Sequence, residues 1–266
     1  MNAEKNIKNQ ARVILRNGNF TKGIGVFTVL MMFVILIYLC RYFLICAAVG
    51  EEYFDNGHAL SADEAVRIIT INTLTWIFAL FCSPVINGFL RFYFNTAKTG
   101  DGVFSDIFYY FDSKRLYASA MLFNLNLLLR FLPCYVLLTS AIIFFKLCNT
   151  FYTVVGCVMA FSFIVLFFAL FLRYFAAFGL YFSNENQKPS EYFKKSAVIM
   201  KRYRKSVLKL IFSFIGWIIL SIVIIPLIYT VPYFAMSLSV SLKWIMYNES
   251  RIDAVQTAEA LTTAEV

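Results

Sequence analysis

Few residues of this chain can do chemistry in an apolar setting, and Arg130 leads them. It stands inside the stretch Leu116 to Phe145, which is otherwise uncharged, with Asn126 one helical turn earlier and Asn124 and Pro133 close by. Counted from Leu116 it lies 14 residues in, about 21 Å along a helix, past the middle of a hydrocarbon layer of about 30 Å. A guanidinium binds phosphate or carboxylate through two parallel hydrogen bonds, so Arg130 and Asn126 are candidate ligands for an anion or a lipid phosphate. The competing reading has Arg130 snorkelling outward or bonding carbonyls freed by Pro133. Asn87 is a third candidate. It follows Ser83-Pro84 and precedes Gly88, a combination that permits a kink, close helix approach and an amide bond to a neighbouring helix.

Other chemistries find little to work with. His58, the single histidine, has Glu51, Glu52 and Asp55 nearby, yet their spacing matches no metal motif, so no metal or cofactor is expected. Gly-x-Ser-x-Gly, His-Glu-x-x-His and a glycine-rich phosphate loop ending in Gly-Lys-Ser/Thr are all missing, which argues against the hydrolases that depend on them. No Asp or Glu falls inside an apolar stretch, which argues against a carboxylate relay for protons or sodium.

The densest charge lies near the C-terminal third. From Ser190 to Lys209 seven basic residues face one acid, with Phe193, Ala197 and Met200 at helical spacing among them. A helix lying in the membrane interface has this composition, and Lys194, Lys195, Lys201, Arg202, Arg204 and Lys205 become candidate contacts for anionic headgroups or a partner. A basic loop running into the next span is the alternative.

The elements that hold these residues are read from composition. Of 266 residues, 61% are hydrophobic and 15% charged, and the formal net charge is +9. A soluble domain would carry about 25% charged residues, so lipid is the expected solvent. The expected fold is all-α: a single polytopic membrane domain over 1–248 with about six transmembrane helices and short amphipathic cytoplasmic helices. The spans fall near 24–49, 68–89, 116–145, 151–172, 207–225 and 231–246, followed by a flexible polar tail over 249–266. The last two spans come from Leu210 to Leu242, 33 residues without a charge. As one helix this would run about 50 Å, too long for a comfortable crossing. Pro226 and Pro232 are therefore expected to bracket a tight outer turn, with a single tilted helix as the alternative.

Orientation follows the basic residues, which stay on the cytoplasmic side. Twenty of the 24 lie before span one, between spans two and three, between four and five, or after six, whereas Gly50 to Ala65 holds five acids and no Lys or Arg. Both termini are expected inside, and the net charge reflects orientation, not nucleic-acid binding. The first span is too long for a signal-peptide core and reads as an uncleaved anchor. Most of the six cysteines sit in apolar stretches, with Cys148 in an outside turn, so neither a disulfide framework nor a thiolate zinc site is expected.

Each odd-numbered span is preceded by a short segment of mixed polarity, which suggests three units of interfacial helix plus hairpin starting near residues 3, 104 and 190. Ser105-Asp106-Ile107-Phe108 parallels Ser190-Glu191-Tyr192-Phe193, each a capping Ser followed by an acid. The stretch from Ala11 to Phe20, then Lys22-Gly23-Ile24-Gly25, and later Lys195-Ser196, Met200-Lys201, Ser213 to Trp217 and Pro232-Tyr233 together resemble the bacterial integral membrane family catalogued as domain of unknown function 975. Arg202 stands where a glycine usually follows Met-Lys. The resemblance implies a multi-pass protein of the bacterial cytoplasmic (inner) membrane, with about six helices and no established activity.

Three functions are weighed. The favoured one is a non-enzymatic membrane-organising or sensing protein, or the membrane subunit of a larger assembly. Its expected partners are anionic headgroups and a membrane-protein partner or second copy. The second is a transporter of an anionic or lipid substrate that uses Arg130. The weakest is a lipid-acting enzyme using His58 and the outer-loop acids.

Overall fold

A computed structural model describes residues 3–50, 62–146, 150–220 and 224–264, and among these the chain is helical with no strand. Helix α1 (Ala3–Ile14) passes through a π-helical turn (Leu15–Asn19), kinked at Asn17 and Gly18, into α2 (Phe20–Val49). Then come α3 (Ala62–Cys82), α4 (Pro84–Thr99), a 3-10 segment (Phe104–Phe111), α5 (Lys114–Lys146) and α6 (Thr150–Ser183). Helices α7 (Pro189–Phe212), α8 (Ile215–Leu220) and α9 (Ile224–Ala264) complete the chain. Local chemistry sets several of these ends. Pro84 and Pro189 occupy the first helical positions of α4 and α7, where a missing N–H costs nothing. Gly100 caps α4 in the left-handed conformation, φ +86°, and its N–H bonds the Thr96 carbonyl at 2.9 Å.

Among the described residues, four stretches are long and apolar enough to cross a membrane: Glu4–Val49, Val66–Thr99, Lys114–Ala141 and Phe151–Ser183. They overlap the first four expected spans. Their halves away from the buried clusters expose large apolar side chains such as Phe43, Ile69, Val136 and Phe161, the last 68% exposed. Such a belt suits lipid, not water. Helices α5 and α6, at 33 and 34 residues, each run about 50 Å, well beyond a hydrocarbon layer of about 30 Å. Their excess length joins the core. One buried cluster packs the start of α5 and the end of α6 on α7, through Phe123, Tyr181, Phe193 and Met200. A second packs α1, the start of α2, α4 and α9, through Ala11, Tyr93, Phe214 and Met236. Leu90, Phe234 and Leu238 touch both.

Three expectations are corrected. The turn expected between Pro226 and Pro232 is absent, because both prolines lie within α9. Pro226 is the third residue of α9 as described. Pro232, two turns further on, packs toward Gly23 of α2. The tail expected to be flexible from residue 249 is helical as far as Ala264. The third correction concerns α7, whose apolar face was expected to lie in the membrane interface. Tyr192, Phe193, Ser196, Met200, Tyr203 and Val207 are buried by protein instead, because α5, α6 and α9 offer an aromatic surface of matching periodicity.

Candidate functional site

Burying one face of α7 leaves the opposite face to its cations. Lys194, Lys195, Lys201, Arg202, Arg204 and Lys205 are all exposed. Arg202 pairs with Glu249 of α9 at 2.8 Å, and Lys195 donates to the Gln187 side chain at 3.2 Å. Beside this row a cleft of about 1120 Å³ opens between α4, α6, α7 and α9. Lys194 and Lys195 line it together with Lys98 of α4 and Lys243 of α9, over an apolar floor that includes Leu180, Val240, Trp244 and Met246. Lys243 is held by the Ala97 carbonyl at 2.7 Å, Lys98 sits 5.2 Å from the centre of the Phe94 ring, and Trp244 meets Tyr203 edge-on at 5.4 Å. The arrangement concentrates positive charge at the mouth of an apolar recess. It suits an amphiphile with a negative head.

A second polar cluster ties the loop after α6 to α4 and the 3-10 segment. Arg91 and Glu185 form an ion pair, each side chain about 15% exposed. The Arg91 guanidinium lies 3.5 Å from the Tyr109 ring centre, a close cation–π contact. Tyr109 and Tyr110 donate to the two Glu185 oxygens at 3.3 and 3.4 Å. Burial, then the neighbouring Tyr181 phenol and Glu185 carboxylate, pushes the Tyr110 phenol far above its ordinary range, so it stays protonated and able to donate. Arg115 bonds Asn186 at 2.8 Å, and Tyr192 donates to the Asn184 carbonyl while accepting from the Gln187 N–H at 3.0 Å. A polar cavity of about 520 Å³ adjoins the pair. Its surroundings are those of a structural clamp.

Arg130, Asn126 and Asn87 do not converge. Arg130 donates to the Tyr174 hydroxyl at 3.3 Å and sits 4.7 Å from the Phe193 ring centre, level with the first turns of α7. The expected depth counted α5 from Leu116, but the first turns of α5 belong to the aromatic core beside α7, which moves Arg130 toward the basic end of the bundle. Asn126 spends its amide on the Leu122 carbonyl at 3.0 Å, within its own helix. Asn87 is fully buried, and neither amide atom has a partner among the described residues. Gly88 next to it presses so close to the 3-10 segment that a Cβ would stand 2.0 Å from the Ile107 carbonyl oxygen. His58, Glu51, Glu52, Asp55 and Cys148 lie outside the described residues, among which no group of three metal-ligating side chains occurs.

Sequence reasoning missed three residues. Arg91 counted only toward orientation, and Glu185, the one acid between Arg173 and Ser190, carried a signal in its isolation within a basic loop. Asn19 is fully buried, donating to the Ile14 and Gly100 carbonyls at 2.9 and 2.8 Å and accepting from the Gly102 N–H at 2.9 Å. Its place in Asn17-Gly18-Asn19 was the hint. Several other residues quoted for the family resemblance also form joints. Ser196 donates to the Arg173 carbonyl at 3.0 Å, and Lys8 bonds the Ser213 carbonyl at 3.0 Å beneath Phe214. No protein-family model, curated protein or solved structure matches the chain.

Proposed function

We propose that this chain is a non-enzymatic, multi-pass protein of the bacterial cytoplasmic membrane that organises or senses the bilayer, or serves as the membrane subunit of an assembly, as its family resemblance implies. Its working surface is the basic face of α7 together with the cleft beside it. In this reading the basic ends of the helices, and both termini with them, lie on the cytoplasmic side. The supporting observation is that α7 is anchored by protein along its whole apolar face, while six cations remain exposed on the other. A rigid array of cations holds acidic headgroups without the entropy cost that a flexible loop would incur.

The test is the lipid that co-purifies in mild detergent. Replacing Lys194, Lys195, Lys201, Arg202, Arg204 and Lys205 with Gln is expected to strip acidic lipid from the protein selectively while its helix content is retained. Unchanged lipid and partner content in that variant would sink the reading.

A further inference from the structure

The cleft beside α7 has a chemistry of its own, distinct from the open basic face. Four lysines from three helices meet at it, Lys98, Lys194, Lys195 and Lys243. The single acid that also lines it, Glu249, is engaged by Arg202 at 2.8 Å, so the lysine charge stands unopposed. Each ammonium carries three N–H donors. Lys243 commits one to Ala97 and Lys195 one to Gln187, while Lys194 and Lys98 have no hydrogen-bond partner among the described residues. The lining beyond the lysines is mostly apolar, with Leu180, Val240, Trp244 and Met246 contributing. At about 1120 Å³ the cleft is slightly larger than the roughly 300–1,000 Å³ of small-molecule sites.

We propose that this cleft binds one molecule of an acidic phospholipid, with the phosphate among the four lysines and an acyl segment on the apolar floor. The proposal rests on the reading of the basic face as a contact for acidic lipid, and narrows it to a single site. A small free anion would leave the apolar floor unused, and an uncharged amphiphile would leave the lysines unanswered. An acidic lipid satisfies both. The four apolar stretches found among the described residues suit a lipid solvent, which would bring such amphiphiles within reach of the cleft.

The whole protein in mild detergent is titrated with phosphatidylglycerol or phosphatidylcholine and followed by native mass spectrometry. One phosphatidylglycerol is expected to be retained per chain, at least about tenfold more tightly than phosphatidylcholine, with the double variant Lys98→Gln, Lys194→Gln losing about tenfold in affinity. In a Trp76→Phe, Trp217→Phe background, phosphatidylglycerol with brominated chains is expected to quench Trp244 at one equivalent, while brominated phosphatidylcholine does not. The site is overturned if the two lipids bind equally, if inorganic phosphate at matched concentration displaces the lipid, or if Trp244 is not quenched. Affinity that falls only when Lys201, Arg204 and Lys205 become Gln overturns the cleft and leaves the broader reading standing. Affinity that answers to neither set removes both.

Discussion

Glu185 accepts from two tyrosines and pairs with an arginine, so its loss would strand a cation that is itself about 85% buried. An unpaired buried charge is among the costliest defects a fold can carry. Glu185→Ala is expected to lower stability by about 3 kcal/mol, seen as a lower melting temperature in detergent. Arg91→Ala combined with Glu185→Ala should cost less than the two single changes summed, and strict additivity would refute the pairing. Asn19 works through neutral bonds alone, two joining the α1–α2 junction to the loop after α4 and a third, to the Ile14 carbonyl, closing the junction itself. Asn19→Ala should cost about 2 kcal/mol, since the buried Gly102 N–H and two less buried carbonyls lose their partner. Arg130, over two rings and a hydroxyl, is expected to tolerate Lys poorly because an ammonium cannot stack as a flat guanidinium does. A measurable drop in melting temperature for Arg130→Lys checks this.

At the scale of elements, α7 separates packing from charge along one helix. Met200→Ala removes a fully buried side chain from the larger cluster and should cost about 3 kcal/mol. Lys201→Gln, next in sequence and exposed, should change stability by no more than about 0.5 kcal/mol. Equal effects would mean that α7 lies free of the bundle. The hydropathy pattern made α7 legible as a helix with one apolar and one basic face, but the partner for the apolar face could be lipid or protein. Periodicity is a local property and says nothing of what lies opposite. The same limit applies at Pro226 and Pro232, since a proline starts a helix or interrupts one according to where the preceding residues turn.

For the whole molecule, the apolar belt and the basic end fix an expected polarity across the bilayer. A cysteine introduced by Lys205→Cys should react with an impermeant maleimide only once vesicles are opened or inverted, and labelling of intact cells would reverse the proposed orientation. Cys40 and Cys157 are exposed on the belt and should react with membrane-permeant reagents in preference to charged ones. The two buried clusters lie at the ends of the long helices away from the belt, so unfolding of the core and extraction from lipid are expected to be separate events. The basic end carries the cleft, the clamp and Arg130 together.

Composition and the placement of charge already determined that the chain is helical, apolar enough over its long uncharged stretches to enter a membrane, and basic along one helix. These follow from transfer energies summed over consecutive residues, a calculation that needs no fold. Tertiary structure alone decided that α7 is covered by protein, that Lys98 and Lys243 join Lys194 and Lys195 around one cleft, and that Arg91 meets Glu185 across 94 positions. Contacts of that range depend on how helices are arranged in space, and hydropathy, being a sum along the chain, carries no term for it.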